Sequence, residues 1–293
     1  MKHIFDLTGK IAAVIGGASG IGEAVTIGAA QLGATVVCLD IRQIEAARVS
    51  ARAVDAGCSC EAGELDIRDR SAVDQVFAAI AKKHGRLDIA ICTPGINVRK
   101  KIVDYEDDEL ARVLDLNLKG TFNVLRAAGR IMMTQRGGSI VLFSSIRSVV
   151  VEPGQSVYAA TKAGIVQMAR GAASEFGKFG VRVNCVGPGV IETPLTAPIK
   201  NNEEWFAAYS AKTIFQRWGT PEEMVGPTLF RFRRRELRDR NDHLRRRRLA
   251  GAGRAVHAAR DIDVLGARCS VLGAGCSVLG AGCWVLGAAA GSG

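Results

Sequence analysis

Short apolar runs alternate with amphipathic helical stretches along most of the chain, and this alternation constrains the fold more than any other feature. The apolar runs are rich in Val and Ile and cover residues 10–15, 35–39, 87–92, 139–143 and 181–186. The helical stretches cover residues 22–32, 44–56, 71–84, 107–136 and 156–179. Runs without polar alternation are typical of strands buried on both faces. The pattern therefore predicts an α/β fold, a doubly wound parallel sheet with helices on both faces.

The net charge is concentrated at one end of the chain. The formal charge is +10, of which residues 229–293, with 13 Arg, no Lys and 5 acidic residues, contribute +8 and residues 1–228 only +2. With 48% hydrophobic and 23% charged residues, the composition excludes wholesale disorder and collagen-like or coiled-coil architectures. We predict one domain over residues 1–228, followed by an aberrant, disordered tail over residues 229–293. Because most of the positive charge lies outside residues 1–228, it does not indicate what the domain binds.

A glycine-rich turn joins the first apolar run to the first helical stretch. The turn includes Gly16, Ser19, Gly20, Ile21 and Gly22. Such a turn allows a pyrophosphate to approach the backbone N–H groups of a helix N-terminus closely. The second run is followed by Asp40, whose carboxylate can accept both ribose hydroxyls of NAD and repels the 2′-phosphate of NADP. Arg42 can accommodate that phosphate, so the pattern favours NAD and leaves NADP as the less favoured cofactor. A plain tight turn is the alternative.

Asp66 and Ile67 follow the expected third strand, where a carboxylate can meet the adenine amino group. A cap of the next turn or helix explains Asp66 equally well. Both interpretations stay open at this point.

Tyr158 and Lys162 are spaced four residues apart, which places them on one face of a long helix. An ammonium beside a phenol stabilises the phenolate, so Tyr158 is a candidate general acid/base for a carbonyl oxygen. Ser145 follows the fourth apolar run and can hydrogen-bond the same oxygen. Asn117 is a polar residue inside an apolar helical stretch, where it either carries a proton route to Lys162 or marks a hydrogen-bonded kink.

These motifs, together with Pro188, Gly189 and Thr193, resemble the classical short-chain dehydrogenases/reductases over residues 5–228. The resemblance implies a single Rossmann-type domain, usually a homotetramer and otherwise a dimer. It also implies hydride transfer between a nicotinamide cofactor and a small alcohol or ketone. The implied catalytic residues are Asn117, Ser145, Tyr158 and Lys162. Tyr158 and Lys162 would also hold the cofactor, together with Pro188, Gly189, Ile191 (through its backbone) and Thr193.

Two positions depart from the family pattern. Ile15 stands where the family has a Thr whose side chain braces the glycine turn. The family sequence Asn-Asn-Ala-Gly is replaced by Cys92-Thr93-Pro94-Gly95, in which Pro94 lacks a backbone donor. Both departures concern the geometry of the cofactor site.

The sequence says little about the substrate. Arg99, Lys100, Lys101 and Arg147 follow strand ends, and the segment from Asn97 to Lys100 resembles sugar-acid dehydrogenases of the gluconate type. A cationic pocket for a carboxylate is one interpretation, and solvated surface charge is the favoured one. Residues 194–215 are expected to form the substrate lid, in which Trp205, Phe206 and Tyr209 line the site or pack a short helix. A sugar acid, a polyol and a 3-oxoacyl compound are the candidate substrates.

The resemblance stops at Leu229, where the last strand of the sheet and a Val-Asp-Gly-Gly-Trp ending are expected. Residues 233–249 can be back-translated with GC-rich codons and re-read one base later as ADASSVTGTTTCVDGGW, which is the family ending. We infer a frameshift near Phe230, so that the last strand is missing or replaced by an irregular tail. A non-catalytic or poorly folded product is the second hypothesis for the chain.

Binding through the tail is the third hypothesis. The Arg cluster can contact nucleic-acid phosphates, but no base-reading module accompanies it. Residues 269–290 are uncharged and long enough to span a bilayer, yet their repetition favours low complexity. We therefore expect neither a nucleic-acid nor a membrane partner, and no metal site. Cysteines in apolar runs and the lack of a signal-peptide core indicate a cytoplasmic protein.

Overall fold

The computed structural model describes residues 5–229 and 284–287. Its strands are β1 (Ile11–Ile15), β2 (Thr35–Asp40), β3 (Cys60–Glu64), β4 (Ile89–Cys92), β5 (Gly138–Phe143), β6 (Val181–Gly187) and β7 (Trp284–Gly287). Its helices are α1 (Gly20–Gln31), α2 (Gln43–Asp55), α3 (Arg70–His84), α4 (Asp107–Leu114), α5 (Thr121–Thr134), α6 (Ser156–Phe176), α7 (Ala197–Lys200), α8 (Glu203–Ala211) and α9 (Val225–Leu229).

The strands form one sheet in the order β3-β2-β1-β4-β5-β6-β7, and β1 to β6 are all parallel. One apolar layer packs α3, α5 and α6 against the sheet, and the other packs α1, α2 and α9 against the opposite face. The doubly wound parallel sheet with helices on both faces is thereby confirmed. The order reverses between β1 and β4, and in such sheets ligands bind beyond the carboxyl ends of the strands at this switch point.

The apolar runs did not locate β3. Its sequence, Cys-Glu-Ala-Gly-Glu, lies at the edge of the sheet, and only Cys60 is buried, whereas the other four residues are half-buried or exposed. An edge strand has only one strand neighbour, so β3 does not need a continuous apolar run.

The helical stretch predicted over residues 107–136 is interrupted. A π-helical segment, Asp115–Gly120, separates α4 from α5, and Asn117 lies within it. A π-segment widens the turn by one residue and is frequent at functional sites. Asn117 therefore lies where the regular α-helical hydrogen-bond pattern is interrupted.

The far edge of the sheet differs from the expectation that its last strand is missing or irregular. Residues 284–287 of the tail form β7, which pairs antiparallel with β6, from Asn184 opposite Gly287 to Gly187 opposite Trp284. The physical reason is that the exposed edge of β6 offers unpaired N–H and C=O groups, and a Trp-Val-Leu segment has high strand propensity. The disorder predicted for the rest of the tail concerns residues outside the described part of the chain.

Four of the five cysteines in the domain, Cys38, Cys60, Cys92 and Cys185, are buried, whereas Cys58 is half-buried; all five are free thiols. Within residues 5–229 and 284–287, no helix is both long and apolar enough to cross a membrane.

Candidate active site

The glycine turn lies between β1 and α1, at the switch point of the sheet. Gly16 has a φ of +75°, a conformation that favours glycine. A Cβ on Gly22 would lie 1.9 Å from the carbonyl oxygen of Gly16, so only glycine allows the turn to close against the helix. The first backbone N–H groups of α1 remain available for an anion, because the side chain of the N-cap, Ser19, makes no capping hydrogen bond. The turn therefore fits a pyrophosphate.

Thr93 braces this turn from a neighbouring strand. Its hydroxyl donates to the carbonyl oxygens of Ile15 and Gly16, at 2.9 and 3.2 Å, and its backbone N–H donates to Ile15 at 3.1 Å. Pro94 packs beside the same glycine, within 3.0 Å of where a Cβ would stand. The brace expected from a Thr at position 15 is thus supplied by Thr93, a residue that the sequence analysis noted only as a departure.

Asp40 ends β2 and its side chain is buried. Its carboxylate accepts the backbone N–H groups of Ala18 at 3.2 Å and Arg42 at 3.1 Å. The Arg42 guanidinium lies 3.5 Å from the same carboxylate and donates to the Ser19 hydroxyl at 2.9 Å. One carboxylate and one guanidinium therefore stand side by side at the edge of the glycine turn.

Asp66 caps the turn that follows β3. Its carboxylate accepts the backbone N–H of Arg68 at 2.9 Å and pairs with the Arg68 guanidinium at 2.6 Å. This side-chain hydrogen bond lowers the pKa of Asp66. Ile67 is buried and its carbonyl accepts the Asn123 side chain at 2.9 Å. The structure thus shows the capping contact, and the adenine contact stays a prediction.

Tyr158 and Lys162 lie on the first turns of α6, and both side chains are buried. Lys162 Nζ is 5.6 Å from the centre of the Tyr158 ring and donates to the carbonyl oxygen of Phe143, at the end of β5, at 3.0 Å. Gly95 makes room for this ammonium, since a Cβ there would lie 2.9 Å from Nζ. The ammonium is therefore held beside the phenol by the end of a strand.

Ser145 lies two residues beyond the end of β5. Its hydroxyl accepts the backbone N–H of Arg147 at 3.2 Å, which starts a short 3₁₀ turn that packs against α6. The neighbouring Ser144 hydroxyl donates to the carbonyl of Lys162 at 2.8 Å. This hydrogen bond joins the end of strand β5 to helix α6 beside Ser145 and Lys162.

Asn117 is fully buried and links three parts of the site. Its Oδ1 accepts the N–H of Ile96, and its Nδ2 donates to the carbonyl of Ile96, both at 2.9 Å. The same amide donates to the Thr161 hydroxyl at 3.0 Å, next to Lys162 on α6. Asn117 Oδ1 also lies 3.6 Å from where a Cβ on Gly95 would stand. The structure therefore places Asn117 near Lys162, as the relay prediction requires.

The segment after β6 carries the remaining predicted residues. The carbonyl of Pro188 accepts Ile146 N–H at 2.8 Å, which ties this segment to the turn after Ser145. Thr193 approaches the glycine turn, 3.2 Å from a Cβ on Gly20. Thr196, which the sequence analysis did not single out, donates its hydroxyl to Ile191 at 2.6 Å and accepts Thr193 N–H at 3.0 Å. Gly189 lies within the same segment, between Pro188 and Ile191.

The cationic residues near the site are mostly paired. Lys100 contacts Glu109 at 2.8 Å, and Arg147 contacts Glu152 at 2.8 Å. Arg99 instead lies over the ring of Trp205, 6.0 Å from its centre. These contacts favour structural roles for Lys100 and Arg147. They do not favour a pocket in which the two residues bind a substrate carboxylate together with Lys101.

The aromatic residues of the lid divide into two groups. Phe206 and Tyr209 pack on the buried Trp218, with ring centres 5.1 and 6.3 Å away. Trp205 is about half exposed and faces Arg99. Core packing thus accounts for Phe206 and Tyr209, and Trp205 is left as the aromatic residue that can line an opening.

A 3-2-1-4-5-6 parallel order with a glycine turn at its switch point defines a dinucleotide-binding fold of the Rossmann type. A family profile described as enoyl-(acyl carrier protein) reductase matches residues 16–233. The chain belongs to the short-chain dehydrogenase/reductase family, whose members that match this chain are NAD(P)-dependent oxidoreductases that act on CH–OH or carbonyl groups.

Known relatives cover most of the domain. The chain is 35% identical over 224 residues to the 3-oxoacyl-acyl-carrier-protein reductase FabG of Thermotoga maritima, covering 76% of this chain and 90% of that protein. It is 31% identical over 233 residues to gluconate 5-dehydrogenase of Gluconobacter oxydans, covering 78% and 91%. Among solved structures, gluconate 5-dehydrogenase of Burkholderia cenocepacia in complex with NADP and tartrate superposes with a TM-score of 0.75 at 27% identity, covering 78% of this chain and 91% of that one.

Proposed function

We propose that the protein transfers a hydride between NAD(H) and a small alcohol or ketone, with Tyr158 as general acid/base. The observation that carries the proposal is the buried pair of Tyr158 and Lys162, held at the carboxyl end of β5 beside Ser145. The nicotinamide, when bound, accepts or supplies the hydride. The chain itself has to position the substrate oxygen and to move one proton.

Each predicted residue has a separate task in that proton movement. Ser145 orients the substrate oxygen, and its hydroxyl is held by Arg147 N–H at 3.2 Å. Tyr158 takes the hydroxyl proton during oxidation and returns it during reduction. Lys162 stabilises the phenolate electrostatically, and Asn117 carries a water-linked proton route to Lys162. The buried setting strengthens these interactions relative to water.

The remaining assigned residues hold the cofactor. Gly16, Gly20 and Gly22 let the backbone approach its pyrophosphate, with Ser19 and Ile21 at the start of α1. Asp66 and Ile67 meet the adenine ring. Pro188, Gly189, Ile191 and Thr193 bind the nicotinamide side, where Thr193 already faces the glycine turn.

NAD is the proposed cofactor, although solved structures similar to this chain contain NADP as well as NAD. The support is the Asp40 carboxylate, which two backbone N–H groups fix at the end of β2. A fixed negative charge there repels a 2′-phosphate. Arg42 offsets part of this repulsion because it lies 3.5 Å from that carboxylate. We therefore expect kcat/KM to be lower with NADP than with NAD. Asp40→Ala should reduce the ratio of these two kcat/KM values by about tenfold. Equal or better use of NADP by the unchanged protein would contradict the assignment.

The substrate is proposed to be a small polar alcohol or ketone, with sugar acids, polyols and 3-oxoacyl compounds as the classes to compare. Gluconate 5-dehydrogenase and 3-oxoacyl reductase relatives support the first and third classes. The test is a panel of all three classes, assayed by formation or loss of NADH with the full chain. Turnover of at least one class supports the proposal. No NADH binding and no turnover by any class contradicts it.

A frameshift near Phe230 is the second proposal, and it bears on whether the chain is active. It is supported by the family profile, which ends at residue 233. On this proposal residues 1–228 are the enzyme domain and residues 229–293 are an out-of-frame tail. The gene's DNA decides: a single-base change has to restore the ending ADASSVTGTTTCVDGGW. If the unchanged chain aggregates while the frame-restored chain binds NADH, the non-catalytic alternative is correct for the unchanged chain.

Assembly into a homotetramer or dimer in the cytoplasm is part of the same proposal. It is supported by exposed apolar side chains on α4 and α5, including Leu110, Leu114 and Phe122, and by free thiols suited to a reducing compartment. Size-exclusion chromatography with light scattering tests the assembly, and a monomer at all concentrations would contradict it.

A further inference from the structure

One carboxylate near the predicted catalytic residues is shared by several separate segments. Glu152 lies in the loop between β5 and α6. Its Oε1 contacts Arg147 Nη2 at 2.8 Å and Lys212 Nζ at 3.6 Å. Its Oε2 accepts hydrogen bonds from Gln155 Nε2, at 3.1 Å, and from the Tyr209 hydroxyl. Three of these contacts are at hydrogen-bond distance, and Lys212 adds a longer ion pair.

Two of these partners connect Glu152 to the predicted catalytic groups. Arg147 donates its backbone N–H to the Ser145 hydroxyl at 3.2 Å. Gln155 is buried at the N-cap of α6, where its carbonyl accepts the N–H of Ala159 at 2.9 Å, and it precedes Tyr158 by three residues. Glu152 is therefore connected to Ser145 through one intermediate residue, Arg147. It is connected through Gln155 to the first turn of α6, which bears Tyr158.

The other two partners belong to the end of the lid. Tyr209 lies on α8 and Lys212 directly follows that helix. The Arg147 guanidinium and the Lys212 ammonium lie over the Tyr209 ring, 5.8 and 5.3 Å from its centre. The buried Trp218 supports the same ring edge-on. The hydroxyl of Tyr209 is thus held at the point where α8 meets the Ser145 loop.

The charges around Glu152 favour its ionised form. Burial alone raises the pKa of this carboxyl, but the Tyr209 hydrogen bond and the positive charges of Arg147 and Lys212 outweigh burial and lower the pKa below its ordinary value. Hydrogen bonds to an ionised acceptor are about twice as strong as neutral ones. At neutral pH the four contacts therefore act together.

We propose that Glu152 is a positioning residue that fastens α8, through Tyr209, to the segments carrying Ser145 and Tyr158. The latch comprises Glu152, Arg147, Gln155 and Tyr209. It holds the lid over the substrate by anchoring α8 to the loop that bears Ser145 and to the first turn of α6. The positioning role of the latch rests on the proposed function. The attachment of α8 does not depend on that function.

Hydrogen–deuterium exchange of the full chain tests the attachment without a substrate. In Glu152→Gln and in Tyr209→Phe, we expect the amides of α8 to exchange about tenfold faster, because an ion-assisted hydrogen bond is lost. Glu109→Gln is the matched control: it removes the carboxylate that pairs with Lys100 near the same site but outside the latch. Unchanged exchange of α8 in both latch variants, or equal acceleration in the control, would overturn the proposal.

Kinetics with the panel substrate that turns over fastest tests the positioning role. The latch variants should raise the KM of that substrate by about tenfold and change kcat by less than about twofold, since the lid closes less often over bound substrate. Combining Glu152→Gln with Tyr209→Phe should add little to the effect of Tyr209→Phe alone, because Glu152→Gln weakens the same hydrogen bond that Tyr209→Phe removes. A fall in kcat with unchanged KM, tracking loss of thermal stability, would reduce Glu152 to a structural residue. If the unchanged protein neither binds NADH nor turns over any substrate, the proposed function fails while the exchange data still decide the attachment.

Discussion

The hydroxyl of Thr93 donates a hydrogen bond to the carbonyl oxygen of Ile15 at 2.9 Å, across two neighbouring strands. It also reaches the carbonyl of Gly16, the first residue of the glycine turn, at 3.2 Å. A side chain after β4 thus fixes the backbone that has to approach a pyrophosphate. This arrangement replaces the local brace that the short-chain dehydrogenase pattern places at position 15.

Removing this hydroxyl should weaken cofactor binding. In Thr93→Val, the loss of one buried hydrogen bond costs about 1 kcal/mol, so we expect NADH to bind about fivefold more weakly. The enhancement of NADH fluorescence on binding measures the dissociation constant. A second change, Ile15→Thr, should recover part of the affinity in the Thr93→Val background by bracing the turn locally. Full affinity in Thr93→Val alone would show that the turn holds its shape without the brace.

The proposed acid/base is tested by removing a single oxygen. Tyr158→Phe should lower kcat by about 10²- to 10⁴-fold, because the proton of the substrate hydroxyl has no acceptor, while NADH affinity changes little. Steady-state turnover and NADH fluorescence give the two quantities. Tyr105→Phe is the matched control, since it removes a hydroxyl that donates to the carbonyl of Val98 at 2.6 Å. Substantial turnover by Tyr158→Phe would assign the proton transfer to another group.

The fold was predictable because its signals are local. Apolar runs of five or six residues located β1, β2, β4, β5 and β6, and the glycine turn follows β1 directly in the sequence. Strand β3 was not located, since an edge position with partial exposure does not require an apolar run. Strand β7 was not predicted either, because its four residues form a strand only by pairing with the open edge of β6.

The site was predictable as a set of residues but not as a set of contacts. Tyr158 and Lys162 share a helix face, so their spacing alone places them together. Thr93 and Ile15 are 78 residues apart, and Tyr209 and Glu152 are 57 apart. No periodic pattern links residues so distant, because their contact depends on strand order and on the path of the lid. The brace and the latch are therefore properties of the folded chain that its sequence pattern does not predict.

Asn117 should contribute to stability as well as to the proposed relay. Its amide makes three hydrogen bonds in a fully buried position, two to Ile96 and one to Thr161. Asn117→Ala removes these three hydrogen bonds and leaves a cavity at a fully buried position, at a cost of about 2–4 kcal/mol in the free energy of unfolding. Urea denaturation followed by circular dichroism measures the change. The same substitution at the exposed Asn201 is the control and should cost less than about 0.5 kcal/mol. Equal midpoints for both variants would rule out a structural role for the Asn117 amide.

Buried thiols should make the protein less stable in alkali. Burial raises the pKa values of Cys38 and Cys185 from 9.0 to about 12 in the folded protein. Their contribution to stability is therefore fully present below about pH 9 and is lost as the pH rises, because the unfolded chain releases these protons while the folded chain retains them. Between about pH 9 and pH 12, each thiol should reduce the free energy of unfolding by about 1.4 kcal/mol per pH unit.

Urea midpoints at neutral and alkaline pH measure this slope. Cys38→Ala combined with Cys185→Ala should flatten it, whereas Cys58→Ala, at a half-buried thiol, should change it little. Lysine and tyrosine titration contributes equally to all three proteins and cancels in the comparison. An identical alkaline slope with and without the two buried thiols would mean that they ionise as readily in the folded chain as in the unfolded one.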